Sequence, residues 1–438
     1  MSLYDKASLI MTPSGVKSAK IYSKKPFNTN GDFTFDRNST VATRVNKDGL
    51  IENVAIDTPR LNYPFVNGVV QDDPSLLLEP VKTNLVQYSE DFSNVYWTKN
   101  LATIISNNVI SPDGTLNASK LVSGNDGQNS RIEFFPTVSD NTIYTSSLFV
   151  QKGDLDFMSL NLRGKNGVTK VAYFDIENGT VSSTINSPDN AKIENYGNGW
   201  FRVSISVNVA SGVESVRAQF VLASADGSVD TDLNTFLYIY GAQFEQGSYP
   251  TSYIPTSGST ETRAAETANG AGTSADFNDS EGVLYAEIAY PTQTTSSNLR
   301  IAISDTTANN RVLIQNINHT ANKLQFYVIV GTSTVSTDVS VVSSDITLFN
   351  KIAFKYKTND FSVWINGVKV LTDTSGITFP SGTLTELAFD GGDGVYDWYG
   401  NTKEIAAFKE ALTDSELESL TSWDSFNDMA TGQLYSIK

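Results

Sequence analysis

The sequence predicts an all-β protein in which an N-terminal segment precedes two antiparallel β-sandwich (jelly-roll) domains and a short helix ends the fold. Three observations predict it. Ser, Thr, Val, Ile, Tyr and Phe dominate the composition, and the β-branched and aromatic members fit a pleated, half-buried surface. Helical periodicity is scarce, while short alternating runs punctuated by Asn, Asp and Gly recur from about residue 132 to the late 240s and again from 282 to about 408. With 438 residues, 39% hydrophobic and 11% aromatic, the chain can bury more than one core, which excludes native disorder and points to two or three domains.

Residues 1–74 scatter Pro, Asn, Asp and Gly among isolated apolar residues, so this segment is expected to fold against a partner or the first sandwich. The first sandwich is assigned to 75–255, with β-rich runs at 142–151, 157–164, 170–181, 199–209, 216–223 and 235–246. Phe201, Val203, Ile205 and Val207 alternate with Arg202, Ser204 and Ser206, which predicts one buried and one wet face. Glu177-Asn178-Gly179 is a hairpin signal, because Asn and Gly accept the positive φ of a primed turn. The stretch 256–280, poor in large apolar residues and rich in Thr, Ser, Ala and Gly, is expected to act as a linker. The second sandwich is assigned to 281–438, with strands at 282–290, 299–304, 311–317, 323–330, 350–357, 361–367 and 403–409. Ile352, Phe354 and Tyr356 alternate with lysines, and Phe361, Val363 and Ile365 continue the hairpin after a Thr-Asn-Asp turn. Thr413 as N-cap and Glu416 three residues on form a capping box, with Leu412 and Leu417 as a hydrophobic staple, so a short helix closes the domain.

Charge and rare residues exclude several functions. Lys and Arg number 31 against 48 Asp and Glu, and the net charge of −17 without a basic run argues against nucleic acid and anionic lipid, which need clustered cations. Cysteine is absent, so disulfides, Cys-ligated zinc, iron–sulfur clusters and thiol nucleophiles are excluded. No apolar run approaches the roughly 20 residues that span a bilayer, and Met1 to Lys20 lacks the apolar core of a secretory signal, so neither membrane insertion nor export is expected. His319, the single histidine, lies in a polar Asn-rich stretch read as an exposed turn. Without a G-x-S-x-G elbow, a P-loop or a G-x-G-x-x-G motif, serine-hydrolase and nucleotide chemistry drop out.

Several strings carry a resemblance. FSVWINGVKV (361–370) followed by a Gly-rich loop and YGNTKEIAAFKEALTDSELESL (399–420) is similar to the closing hairpin, last strand and terminal helix of concanavalin-A-like (laminin-G-like) domains. SLLLEPVKTNLVQYSEDFSNVYWTK (75–99), NGWFRVSISV (198–207) and YIYGAQFEQGSYPTSYIPTSGSTETRAAE (238–266) together resemble a carbohydrate-binding-module-like jelly roll of bacteriophage tail-fibre and head-appendage structural proteins. The leader at 33–64 resembles the segment preceding that module in the same proteins. The resemblance implies a virion protein made in the host bacterial cytoplasm, a tail fibre or head fibre subunit. It also implies attachment to other virion proteins through residues 1–74, assembly as a homotrimer, and distal sandwiches that face host-surface polysaccharide. The absence of cysteine and the negative charge agree with it.

The alternative function is a polysaccharide depolymerase on such an appendage. Glycoside hydrolysis needs two carboxylates flanking the sugar bond, and the E-x-D-x-x-E strand motif of sandwich-fold glucanases is missing, with Glu287 alone in its strand, so no enzymatic activity and no catalytic residue are expected. No cofactor is expected. Asp226, Asp230 and Asp232 share one loop and Asp390, Asp393 and Asp397 another; ordinary solvated turns explain them, and structural calcium is the alternative. Sugar recognition needs exposed rings, because a pyranose stacks its apolar C–H face on them. Trp364 has the parity opposite Phe361, Val363 and Ile365 and is expected to point outward, while Tyr396, Trp398 and Tyr399 flank the second Asp loop. Trp97 and Trp200 are assigned to the interior.

Overall fold

The computed structural model describes residues 2–124, 127–336, 341–342 and 345–423, and these are organised almost entirely as antiparallel strands. No helix among the described residues is long and apolar enough to cross a membrane. The first sandwich pairs two six-stranded sheets. One runs in the order Thr98–Asn100, Arg131–Phe134, Arg217–Ala223, Phe157–Arg163, Thr169–Asp175, Thr180–Ile185. The other runs Ala102–Val109, Ala118–Ser123, Phe236–Gln246, Thr142–Gln151, Trp200–Val209, Asn190–Asn195. Leu148, Val203 and Ile205 meet Leu160, Leu162 and Phe220 in one core that also takes in Trp97.

The run at 170–181 is two strands. Asp175 pairs with Thr180, so the connection has four residues rather than the two of a primed turn, with Gly179 at φ 64°. The expected wet face of Trp200–Val209 is buried too. Arg202, Ser204 and Ser206 are covered by the segment that follows Gln246, where Ser206 Oγ donates to the Ser248 carbonyl at 2.9 Å and Arg202 to that of Thr251 at 2.8 Å.

The second sandwich is assembled from distant stretches. One sheet runs Val368–Asp373, Phe361–Ile365, Asn350–Lys357, Glu281–Ala289, Gly400–Phe408, Ser75–Leu78, Arg60–Asn62. Ala7–Met11 pairs with Gly400–Phe408 as well: Ala7 lies opposite Phe408 and Leu76 opposite Thr402, so two early strands share one edge end to end. The facing layer runs Ser333–Ser336, Lys323–Val330, Arg311–Asn316, Arg300–Ser304, Glu386–Ala388. Through the Ala271–Leu387 bridge it continues into Thr267–Asn269, Phe33–Asp36, Lys20–Ile21 and Val16–Lys17. Asn366 and Gly367, at φ 49° and 81°, form the two-residue primed turn that closes the Phe361–Asp373 hairpin.

Two sequence expectations are corrected here. Residues 1–74 are not a separate arm: Leu9, Met11, Ile21, Phe33 and Phe35 lie in the core of the second sandwich with Leu284, Ile352 and Phe354. Residues 256–280 are not a linker, since Glu261–Arg263 pairs with Lys82–Asn84 and Thr267–Asn269 with Phe33–Asp36. The reason is the same in both cases. A short strand such as Phe33–Asp36 needs only two inward apolar side chains when the surface it joins already exists.

Residues 85–256 thus form a domain inserted into the second sandwich, entered at Lys82–Asn84 and left at Glu261–Arg263. A buried ionic cluster knits this junction. Glu266 accepts from Arg60 Nε at 2.8 Å and Arg37 Nη1 at 3.0 Å, while Glu79 lies 2.8 Å from Arg60 Nη1 and 3.0 Å from Arg263 Nη1. Ser252 Oγ donates to Glu79 at 2.6 Å, tying the inserted domain to the cluster. Burial pushes the Glu79 carboxyl up, but Arg263 and Arg60 outweigh it and hold it down at about 2.

The helix Asp414–Thr421 has the predicted capping box, with Thr413 Oγ1 accepting from Glu416 N at 3.4 Å and Thr413 N donating to the Glu416 carboxylate at 2.9 Å. Leu412 and Leu417 are buried under it against Trp364, Tyr285 and Phe408.

Candidate binding cleft between the sandwiches

A cavity of about 610 Å³ opens where the two sandwiches meet. Its floor comes from the N-terminal segment, through Thr43, Val45, Ile51 and Asn62. One wall belongs to the inserted domain, where Lys192–Asn195 on an edge strand, Tyr196 just past its end, Arg202 on the neighbouring strand and the returning segment Tyr249–Tyr253 face the space. The other wall, from the second sandwich, presents Leu77, Tyr290, Phe349 and Asn401.

Aromatic and polar groups interleave in this cleft. Phe65 lies 5.3 Å from Tyr196, which makes an edge contact with Phe149 at 4.9 Å, so a string of rings runs from the mouth into the inserted domain. Tyr290 packs edge-on to Trp398 at 4.5 Å, and its hydroxyl is buried without a hydrogen-bond partner. Lys192 Nζ and the Glu194 carboxylate are 2.8 Å apart, walled by protein yet open to solvent, with side chains 55% and 35% exposed. Burial would raise the Glu194 carboxyl, but Lys192 and Arg202 together hold it below its ordinary range. Arg202 donates to the Thr251 carbonyl and to Ser147 Oγ at 2.8 and 3.1 Å, and its guanidinium sits 5.2 Å from the Phe149 ring centroid.

The residues proposed from sequence do not meet here. Trp364 has the expected parity but is only 7% exposed, because the terminal helix covers that face of the sheet, so it is no stacking platform. Trp398 is fully buried in the main core. Tyr399 is half-buried and donates to Asp397 at 3.1 Å. Tyr396 alone of the four is exposed, with the Arg300 guanidinium 4.0 Å over its ring. Trp97 and Trp200 are buried, as assigned, and His319 is an exposed turn residue at φ 55°.

The acidic loops form no metal centre: among the described residues no three Asp, Glu or His side chains gather as a candidate ligand set. Asp226, Asp230 and Asp232 are exposed, with Asp226 taken by the Ser183 hydroxyl. Asp390 is buried and accepts from Gly392 N at 2.5 Å, and burial raises its carboxyl to about 6. Asp393 lies 3.8 Å from Arg311.

Sequence reasoning missed two arrangements. Glu287, which shares its strand with Glu281, stands directly opposite Glu404 on the neighbouring one, and burial raises both the Glu287 and Glu404 carboxyls, each also feeling nearby charges. The cleft itself was also missed. The strings at 33–64, 75–99, 198–207 and 238–266 each contribute lining residues, but nothing in any one of them shows that they converge.

No family model and no curated protein matches the chain. Among solved structures, the CBM40 of Ruminococcus gnavus IT-sialidase bound to alpha2,3 sialyllactose is 14% identical with a TM-score of 0.29, covering 33% of this chain and 84% of that one. Domain 4 of AbnA, a GH43 extracellular arabinanase from Geobacillus stearothermophilus, in complex with arabinotriose, is 13% identical with a TM-score of 0.27, covering 40% and 84%. Domains LG4-5 of the mouse laminin alpha1 chain are 10% identical with a TM-score of 0.20, covering 64% and 85%.

Proposed function

We propose that this protein is a glycan-binding adhesive subunit of a bacteriophage appendage, a tail or head fibre component that holds host-surface polysaccharide in the cleft between its two sandwiches. The observation that carries binding is the cleft itself. Its volume of about 610 Å³ falls in the range of ligand sites, and rings alternate there with hydroxyl, amide and charged groups, as a sugar with apolar faces and polar edges requires. The appendage assignment rests on the family-like strings at 33–64, 75–99, 198–207 and 238–266.

Binding without hydrolysis is the reading the cleft favours. A general acid needs a carboxyl whose proton stays on near neutral pH, whereas Glu79 is held at about 2 and Glu194 is held low by Lys192. The test is a glycan array with the full chain, then Phe65→Ala and Asn195→Ala. Retained glycans that are lost by both variants are expected, and binding untouched by either would remove the cleft. A depolymerase reading rests on Glu287 opposite Glu404. Release of new reducing ends, abolished by Glu404→Gln, would favour it. The appendage assignment carries a trimer with it, and a monomer in light scattering of the full chain would remove that expectation.

A further inference from the structure

Arg202 is 3% exposed, lines the cleft and has no carboxylate within salt-bridge distance among the described residues. Its direct partners are neutral: the Thr251 carbonyl, Ser147 Oγ, the Tyr196 hydroxyl and the face of Phe149. Its Nε is buried without an acceptor. Each of the other cations beside the cleft, Arg44, Lys192, Arg60, Arg263 and Arg37, lies within an ion pair. Arg44 is 2.7 Å from Glu52 and Lys192 2.8 Å from Glu194, while Arg60 and Arg263 share Glu79 and Glu266 with Arg37. Glu245, also buried, is committed to Thr251 and Gln243.

Glu194 stands directly opposite Arg202 on the neighbouring strand and feels its charge, but makes its ion pair with Lys192, so Arg202 is a buried cation with no carboxylate in contact, which is costly in a protein whose net charge of −17 leaves acid groups in excess. That it stays open toward a cavity points outward for the missing anion. A single unmatched guanidinium suits a monoanion, since a planar fork pairs with the two oxygens of a carboxylate or a phosphodiester.

Building on the glycan-binding reading above, we infer that the cleft selects an acidic polysaccharide, one with a carboxylate or phosphodiester in its repeat, and that Arg202 supplies that selectivity. Neutral rings stack on the aromatic string while the charged group turns toward Arg202. Lys192 keeps the mouth attractive to the approaching chain, although Glu194 offsets it.

The test uses the full chain on matched ligand pairs: hexuronate oligosaccharides beside their methyl esters, and glycerol-phosphate polymers beside neutral oligosaccharides of similar length. The acidic member of a pair is expected to bind about tenfold to hundredfold more tightly, the range of a hydrogen bond to a charged group, and to weaken as salt is raised. Which pair shows this preference separates carboxylate from phosphodiester. Arg202→Lys keeps the charge but loses the fork, and is expected to erase most of the preference for the acidic member of each pair. If the variant does not fold, the salt dependence and the ester comparison on the unaltered protein decide alone. Equal binding of charged and neutral members would overturn the inference and leave the cleft as a neutral-sugar site. No binding to any member would overturn the glycan-binding reading as well.

Discussion

The two sandwiches solve the same packing problem with opposite connectivity. The inserted one draws every strand of its two six-stranded sheets from residues 98–246. The other needs Ala7–Met11, Phe33–Asp36 and Ser75–Leu78 from one side of the insertion and the strands from Thr267–Asn269 to Gly400–Phe408 from the other. Self-contained connectivity makes a domain that holds its own core. Split connectivity makes a scaffold whose halves depend on each other, and it places the cleft where the two kinds of domain touch.

Deletion tests that contrast most severely. Removing residues 1–74 uncovers Leu9, Met11, Ile21, Phe33 and Phe35, each worth about 1.5–3 kcal/mol of burial, and the sum rivals the roughly 5–15 kcal/mol that stabilises a domain. The second sandwich should then give no cooperative melt in calorimetry, whereas residues 85–256 expressed alone should. A normal melt of the truncated chain would show that the early strands only decorate an existing core.

Glu266→Ala probes the junction. It strands Arg37 in the interior without its carboxylate, leaves Arg60 with Glu79 alone, and should cost about 3–5 kcal/mol in urea unfolding. Trp364→Ala should cost about 3 kcal/mol through the cavity left under the terminal helix, yet leave glycan binding unchanged. Lost binding with intact stability would restore its role as a platform.

Asp390 gives the second sandwich a pH signature. With its folded value raised from the ordinary 3.8 to about 6, the folded chain keeps a proton that the unfolded chain releases. Stability should therefore fall as pH rises from about 4 to 6, by something on the order of 2 kcal/mol. Asp390→Asn should flatten that slope in urea midpoints, and an unchanged slope would assign it to other groups. Smallest is Thr413→Ala, at about 1 kcal/mol from the lost cap, read in thermal melting of the full chain.

Legibility in the sequence followed the same divide. All six β-rich runs of the inserted domain contain strands, since alternation along one strand is a local signal; its edge strands, such as Asn190–Asn195 with little apolar content, were not recognised. In the second sandwich the terminal helix was legible down to Thr413 and Glu416. The partners of Gly400–Phe408 were not, because Leu9 and Leu76 are more than 300 residues away and nothing in their spacing names their neighbour. For the site, strand parity placed Trp364 on the correct face, but whether a face meets water depends on what lies over it, and that is tertiary information. The cleft needs many separate stretches at once, so no single string encodes it.

The paired crossing at Lys82–Asn84 and Glu261–Arg263 also makes the inserted domain an exchangeable cassette. Strands paired in this way lie only about 5 Å apart, so a module whose first and last strands end side by side fits the path of the scaffold there if it also supplies the contact that Ser252 makes to Glu79 and Arg60. Such an exchange would replace one wall of the cleft and keep the other. Exchange at these two points would then change the lining of the cleft while the scaffold, including Ala7–Met11 and the terminal helix, stays as it is.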